Sequence, residues 1–241
     1  MKFKNLLLLI LTCISISACG DLGFSPQSLA MKQVPSDNDS NDNNIDVPDT
    51  GANETPKATL FLRDKVLFNS DISEIALDNA LNYFDQNKAY INNEKIITIF
   101  DVTQHSSKKR LYVIDTENGN VRAIHSAHGS NSDTDKNGYA TSFSNANGSN
   151  QTSLGFMLTG ETYYSGKNGL SLKLDGLESR NSRVRPRLVV IHGANYVNEN
   201  TSSVGRSFGC PAISHTYRDW YINTAKNGSL LYIYHADNDG V

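Results

Sequence analysis

The sequence is poor in cysteine and lacks any long apolar run. Its 241 residues include three cysteines, one tryptophan and six prolines. No stretch reaches the roughly 18 consecutive apolar residues that indicate a transmembrane helix, so no membrane-spanning helix is predicted. Heptad patterns and internal repeats are absent as well, which excludes coiled coils and solenoid arrays. When the N-terminal segments described below are set aside, residues 58–241 are sufficient for one domain with a hydrophobic core.

Charge is divided between an acidic N-terminal part and a neutral remainder. The chain has a formal net charge of -3, whereas residues 58–241 hold 18 acidic and 18 basic side chains. Proteins that bind nucleic acid present an excess of basic residues, because they neutralise phosphates. A neutral domain therefore excludes nucleic acid as an expected partner.

Residues 1–18 have the pattern of a secretory signal peptide. Two lysines near the start precede a run of mainly apolar residues, 6–18, that is too short to cross a bilayer. Small residues then lead into Cys19, and this ending resembles the lipobox of bacterial lipoproteins. The resemblance implies cleavage before Cys19 and lipid attachment to its sulfur, which anchors a protein to a membrane without spanning it. Ordinary secretion with cleavage nearby is the alternative.

The residue after Cys19 bears on the location of the anchored protein. In bacterial lipoproteins an aspartate directly after the lipidated cysteine favours retention in the inner membrane, whereas Gly20 stands here. We therefore expect the inner leaflet of the outer membrane, facing the periplasm of a Gram-negative-type bacterium.

Residues 19–58 comprise the predicted lipidated cysteine and a flexible tether. This segment is rich in Ser, Asn, Asp and Pro, so it cannot bury enough apolar surface to offset its ordering entropy. A tether of this length has an r.m.s. reach of roughly 35 Å. A folded domain is predicted over residues 59–241.

Periodicity in the folded part predicts a mainly β domain with two peripheral helices. Apolar, β-branched segments indicate strands over 95–102, 110–116, 121–127, 154–159, 170–175, 187–192 and 229–235. Helices are predicted over 71–87, with Asp71 as the cap and Ile75 on the buried face, and over 215–226. Residues 129–152 are rich in Gly, Ser and Asn and are predicted to form a long loop.

Cys210 is the only thiol that remains after signal removal and lipidation. In an oxidising compartment a single thiol cannot form an internal disulfide, so it is either buried and inert or a reactive nucleophile. A predicted strand ends in His192-Gly193, and a loop then delivers Ser207-Phe208-Gly209-Cys210. An imidazole can remove and return a thiol proton, and glycine before the cysteine allows a turn that aims N–H groups at an oxyanion.

This segment resembles the L,D-transpeptidase catalytic domain, whose fold is the YkuD-type β-sandwich. The family motif is His, a gap, then Ser/Thr-His-Gly-Cys, and the separation of 18 residues between His192 and Cys210 lies within the usual spacing. Phe208 replaces the second histidine, and Pro211-Ala212 replaces the common pair after the cysteine. The pattern of residues 205–212 is similar to a branch of murein L,D-transpeptidase catalytic domain proteins, and the likeness extends over most of residues 71–235.

The resemblance implies catalytic roles for this motif. Cys210 is the implied nucleophile, His192 the base that forms a thiolate–imidazolium pair, and the carbonyl of Gly193 the third member. Backbone N–H groups of Gly209 and Cys210 are implied donors to the oxyanion, within a motif that includes Ser207.

Four further residues are candidates for substrate binding. They are Arg206, His128, Tyr164 and Tyr196. Arg206 is a candidate through its charge and position, His128 through the family likeness, and the tyrosines as groove-lining aromatics. No cofactor is expected, and no metal site is expected either, because His125 and His128 on one strand point to opposite faces.

The implied reaction is acyl transfer on peptidoglycan. Cys210 attacks the amide before the terminal D-Ala of a tetrapeptide stem, D-Ala leaves, and an amine on a neighbouring stem accepts the acyl group to form a 3→3 cross-link. With water as acceptor the protein would be an L,D-carboxypeptidase, and with a protein amine it would be a protein-to-wall ligase. A non-catalytic wall-binding module is the remaining alternative. The expected partners are stem peptides and a membrane through Cys19, with the protein itself a monomer.

Overall fold

The structure is a computed structural model that describes residues 57–200 and 205–238. The predicted signal peptide, Cys19 and nearly all of the predicted tether lie outside the described residues. The tether is predicted to end at residue 58, but an α-helix, α1 (Lys57–Phe68), already begins at Lys57. Within the described residues, no helix combines the length and apolarity that crossing a membrane requires.

A single continuous sheet dominates the described residues, and the predicted mainly β architecture with peripheral helices is confirmed. Its nine strands are β1 (Ile96–Asp101), β2 (Leu111–Asp115), β3 (Val121–Ile124), β4 (Ser126–Ala127), β5 (Gly155–Ser165), β6 (Gly169–Gly176), β7 (Val190–Gly193), β8 (Ala212–Ile213) and β9 (Leu230–Tyr234). They are ordered β3-β2-β1-β9-β5-β6-β7-β8-β4 across the sheet. Residues 129–152 form the predicted loop, with one 3-10 turn at its start.

Both faces of the sheet are buried, because successive strand residues point to opposite sides. In β1, Ile97 and Ile99 belong to a core cluster shared with α1 and with α2 (Glu74–Asn87). Ile96 and Phe100 belong to a second cluster that includes residues of α3 (His215–Ala225). The helices therefore cover the sheet on separate faces.

The start and the buried face of α2 differ from the prediction. The helix begins at Glu74, and its N-cap is Ser73, whose hydroxyl oxygen accepts the N–H of Ala76 at 3.4 Å. Ser73 takes the capping position because it immediately precedes the helix and its short side chain reaches the first turn. The predicted cap, Asp71, lies before it, and Ile75 is 62% exposed. The buried residues are Ala76, Leu77, Ala80, Leu81 and Phe84.

The edge of the sheet that carries the catalytic motif is built from short strands. β7 and β8 are parallel, with His192 opposite Ala212, and β4 pairs with the other side of β8. Small side chains allow this close approach, and Ala127, Ala194 and Ala212 form a buried cluster with Val197. The register places Cys210 two residues before the partner of His192.

Candidate active site

A cleft of about 580 Å³ collects the catalytic motif at this edge of the sheet. Its walls come from the β5–β6 turn, the end of β7 with the residues after it, residues 206–210 and the start of α3. His192 and Cys210 both line this cleft. The structure thus brings the predicted base and the predicted nucleophile into one site.

Cys210 is half-buried and packs against the hydrophobic core. Its sulfur accepts the N–H of Val190 at 3.5 Å, which follows from the strand register because Val190 lies two residues before His192. Burial raises the pKa of the Cys210 thiol, and the Val190 N–H and the charge of Arg187 oppose that rise. Burial therefore favours the neutral thiol over the thiolate.

His192 is held in one tautomer by its neighbour in the chain. Its Nδ1 lies 3.0 Å from the carbonyl oxygen of Gly193. A carbonyl can only accept, so Nδ1 carries the proton and Nε2 has a free lone pair. Burial lowers the pKa of His192, as do His215 and Lys167, while the Gly193 contact raises it. The resting imidazole is neutral and ready to accept a proton.

The turn that presents Cys210 is closed by Ser207. The Ser207 hydroxyl donates to the carbonyl oxygen of Cys210 at 2.5 Å and accepts the N–H of Gly209 at 3.1 Å. Gly209 has φ +111°, a conformation open to glycine, and a β-carbon there would lie 2.8 Å from the carbonyl oxygen of Gln151. Both the backbone angle and the close approach therefore require glycine at this position.

The closed turn also narrows the choice of oxyanion donors. The N–H of Gly209 already donates to Ser207 Oγ, so this N–H is not free to stabilise an oxyanion. The N–H of Cys210 makes no backbone hydrogen bond within residues 57–200 and 205–238. Of the two predicted donors, the structure leaves Cys210 N–H available.

Arg187 lies beneath this turn, and no motif in the sequence pointed to it. Its Nη1 donates to Ser144 O at 2.7 Å and to Ser153 Oγ at 2.6 Å. Its Nη2 donates to Ser149 Oγ at 3.1 Å and to Gln151 O at 2.9 Å. Burial lowers the pKa of Arg187, whereas a negative charge on the sulfur of Cys210 would raise it. One guanidinium therefore fastens the 129–152 loop under the nucleophile and supplies it with positive charge.

His128 is wholly buried and does not line the cleft, so its predicted role in substrate binding is wrong. Its Nδ1 lies 2.7 Å from Arg110 Nη2, and its Nε2 lies 3.5 Å from Asp133 Oδ2. Burial, together with Arg110 and Arg206, lowers the pKa of His128 to about 3. The residue supports the motif from behind, because its carbonyl oxygen accepts the N–H of Ser207 at 2.9 Å.

Arg206 lines the cleft, but it is already paired. Its Nη1 donates to the carbonyl oxygen of Asp133 at 2.9 Å and lies 3.3 Å from the Asp133 carboxylate. Asp133 is only 1% exposed, so this pair links the cleft wall to the buried His128.

The two predicted tyrosines have different positions. Tyr196 lines the cleft, and burial raises its pKa to about 12, so its hydroxyl stays neutral. Tyr164 is 79% exposed and lies outside the lining of this cleft, so its role in substrate binding stays a prediction. Phe208 lines the cleft and is 70% exposed.

Three further residues line the cleft, one distant from the motif in the chain and two that follow it closely. Lys167 stands in the β5–β6 turn, and His215 and Arg218 lie on α3. Nη1 of Arg218 lies 3.2 Å from His215 Nδ1. The order β5-β6-β7 in the sheet brings Lys167 to the motif, so spacing along the chain carried no signal for it. His215 and Arg218 follow Cys210 closely, and the packing of α3 on β6 and β7 places them at the cleft.

Several solved structures are similar to this chain. One is an L,D-transpeptidase from Mycobacterium smegmatis, with 12% identity, 58% of each chain covered and a TM-score of 0.37. Another is L,D-transpeptidase 1 from Mycobacterium tuberculosis, with 14% identity, 58% of this chain and 61% of that chain covered, and a TM-score of 0.34. The chain therefore spans about three fifths of the length of these structures. No curated protein matches it in sequence.

A family model gives the stronger comparison. The model described as the L,D-transpeptidase catalytic domain matches residues 68–234, which include all nine strands of the described sheet and the cleft. Because this match covers well over half of the 241 residues, the chain belongs to the L,D-transpeptidase catalytic domain family.

Proposed function

We propose that this protein is a cysteine L,D-transpeptidase that forms 3→3 cross-links between tetrapeptide stems of peptidoglycan. The observation that carries the proposal is the cleft that Cys210 and His192 both line, with Nδ1 of His192 fixed by Gly193. A wall-binding module would not need a base held in a single tautomer beside a thiol.

The first half-reaction forms a thioester. Nε2 of His192 takes the proton of Cys210 as the sulfur attacks the carbonyl carbon before the terminal D-Ala. The N–H of Cys210 donates to the oxygen that becomes negatively charged. The carbon–nitrogen bond then breaks, and the imidazolium returns the proton to the amine of the departing D-Ala.

The second half-reaction regenerates the thiol. An amine of a neighbouring stem attacks the thioester carbon, and His192 accepts the proton that this amine loses. The carbon–sulfur bond breaks, a new amide forms, and the proton passes to the sulfur of Cys210. Neutral resting forms of both side chains, which burial favours, suit this cycle. Cys210 supplies the proton that His192 gives to the departing amine, and His192 later returns the acceptor amine's proton to Cys210.

The location is a further part of the proposal. Lipid attached to Cys19 would hold the domain at the outer membrane, and residues 20–58 would give it reach toward the wall on the periplasmic side. Support comes from the sequence pattern at residues 1–19. Labelled palmitate should be incorporated into the full chain in cells and lost in a Cys19→Ala variant. Label retained in that variant would contradict lipidation at Cys19.

The catalytic proposal is tested on the full chain with a disaccharide-tetrapeptide, with products followed by mass spectrometry. We expect a dimer that is lighter by one D-Ala, and no dimer with Cys210→Ala. Tripeptide monomer alone would replace the proposal with a carboxypeptidase. No product from either protein would favour the binding module.

A covalent probe gives an independent readout. One LD transpeptidase has been solved in complex with imipenem, with 14% identity, 58% of this chain and 59% of that chain covered, and a TM-score of 0.36. We expect imipenem to acylate Cys210 and to increase the mass of the intact chain by one inhibitor molecule. The Cys210→Ala variant should stay unmodified.

A further inference from the structure

The catalytic cleft has an unbalanced set of charges. Three permanently charged cations line it, Lys167, Arg206 and Arg218, and no aspartate or glutamate among the described residues does so. Two of these cations, Arg206 and Arg218, already form ion pairs with carboxylates of the protein. Arg206 pairs with Asp133 at 3.3 Å, and Arg218 pairs with Asp219 at 2.7 Å.

Lys167 is the cation that has no such partner. No carboxylate lies within ion-pair distance of its ammonium group in the part of the chain that the structure describes. Its backbone is fixed, because Ser165 Oγ accepts the N–H groups of Lys167 and Asn168 at 3.2 Å each. The ammonium lies 5.6 Å from the ring centroid of Phe208, two residues before the nucleophile. An unpaired cation is therefore held at the cleft beside the catalytic turn.

We propose that Lys167 binds a carboxylate of the acyl-donor stem peptide. This inference rests on the proposed function, because it concerns how the same cleft recognises its donor. A donor that ends in an amino acid has a carboxylate separated from the scissile carbonyl by only the amide nitrogen and one carbon. A third residue that is a diamino diacid provides a second carboxylate nearby. Either group supplies the negative charge that the cleft lacks.

An ion pair between Lys167 and a donor carboxylate would also raise the pKa of His192. Burial lowers the pKa of His192 most, the Gly193 carbonyl raises it, and the charges of His215 and Lys167 lower it further. A donor carboxylate that neutralises Lys167 makes Nε2 of His192 more basic at the moment when Cys210 must lose its proton. Binding of the correct donor would thus promote proton transfer.

The test compares Lys167→Met with the unchanged full chain on three synthetic donors. The first has both carboxylates free, the second has a terminal carboxamide, and the third has a carboxamide on the side chain of the third residue. With the free donor we expect kcat/KM to fall about tenfold, the value for a lost hydrogen bond to a charged group. One of the two carboxamide donors lacks the carboxylate that Lys167 binds. With that donor, kcat/KM of Lys167→Met should equal that of the unchanged protein, and this result identifies the bound carboxylate.

Two matched variants complete the comparison. Lys167→Arg keeps the charge and should stay within a fewfold of the unchanged protein. Lys109→Met removes an exposed lysine of the β1–β2 turn, away from the cleft, and should have no effect. The proposal is wrong if Lys167→Met affects none of the donors, or if it affects all three by the same factor.

A binding measurement separates this proposal from the reaction itself. In a Cys210→Ala background, calorimetry measures the Kd of the free donor with and without Lys167→Met. A Kd raised about tenfold by the lysine change would support carboxylate binding even if the unchanged protein forms no cross-link. Equal Kd values, or no binding of the donor, would overturn it.

Discussion

The hydroxyl of Ser207 and the carbonyl oxygen of Cys210 are joined by a 2.5 Å hydrogen bond, which closes a four-residue turn over the nucleophile. The same hydroxyl receives the N–H of Gly209. The orientation of the thiol therefore depends on a backbone arrangement that one serine side chain holds from inside.

Replacing Gly209 with alanine should open this turn. The backbone at φ +111° disfavours a side chain, and the added β-carbon would meet the backbone oxygen of Gln151 at 2.8 Å. We expect the free energy of unfolding to fall by about 1–3 kcal/mol, and acylation by imipenem to slow at least about tenfold. Thermal unfolding and the acylation rate measure the two effects.

Gly148→Ala provides the matched control for that variant. Gly148 also has positive φ, at +72°, but a β-carbon there meets nothing within 4 Å. Its replacement should lower stability by only about 1 kcal/mol through backbone strain and leave acylation unchanged. Equal loss of acylation in both variants would show that the contact with Gln151 is unimportant.

Arg187→Met should make the thiol of Cys210 harder to ionise. The change removes the positive charge that lowers the pKa of Cys210. It also removes four hydrogen bonds, three to the 129–152 loop and one to Ser153. The rate of alkylation by iodoacetamide as a function of pH measures the thiol pKa, which should rise. Arg187→Lys keeps the charge and should shift it less, while Arg183→Met, at an exposed arginine nearby, should not shift it. An unchanged profile in Arg187→Met would be contrary to this role.

The pH dependence of kcat/KM should reflect a neutral Cys210–His192 pair. Since burial lowers the pKa of His192, activity should persist below the ordinary imidazole value of 6.5 and decline only at lower pH as the base becomes protonated. Since burial raises the pKa of Cys210, the alkaline limb should lie above the ordinary thiol value of 9.0. Thiolate absorbance in the ultraviolet should be absent at pH 7. A thiolate signal at that pH, missing in Cys210→Ala, would instead indicate a resting ion pair.

His128 should make the stability of the fold sensitive to acid. Its pKa is about 3 in the folded protein and has the ordinary value of 6.5 in the unfolded chain. Between these values the unfolded chain binds the proton and the folded protein does not, so this stabilisation is complete above pH 6.5 and is lost as the pH falls toward 3. The slope from this residue is at most about 1.4 kcal/mol per pH unit.

Urea unfolding at pH 7 and pH 5 checks that expectation. In His128→Asn the amide oxygen can accept from Arg110 in place of Nδ1, and the titrating group is gone. The difference in unfolding free energy between the two pH values should therefore shrink. His215→Asn, at an exposed histidine, serves as the control. The same difference in the unchanged protein and in His128→Asn would rule out His128 as its source.

Short-range periodicity predicted seven strand segments, which overlap every observed strand except β8. The roles of the catalytic motif came from its resemblance to a known family. Helix α1 was not predicted, because its apolar residues are spread around the helix axis and form no single apolar face. Leu62 and Val66 pack against residues that come together only in the folded core. The last strand pair that holds the motif, β8 with β4, has two residues in each strand, too few for a periodic signal.

The parts of the site that escaped prediction depend on the order of strands. Lys167 and Arg218 reach the cleft because β6 lies next to β7 and α3 packs against both, and spacing along the chain does not encode that arrangement. His128 was misplaced for a related reason. A histidine beside glycine resembles a cleft residue in sequence, while its buried partners, Arg110 and Asp133, come from separate loops and strands.

The parallel pairing of β7 with β8 positions the reactive residues, whereas other segments of the chain form the remaining cleft walls. The strands fix the base and the approach to the nucleophile, whereas the other walls of the cleft lie in residues 194–196 and 206–208, in the β5–β6 turn and at the start of α3. Those connections can diverge while the pairing stays intact. We therefore expect an inhibitor that reacts only with the thiol and the imidazole to remain effective when these connections differ in sequence. An inhibitor that depends on contacts with the connections would lose affinity.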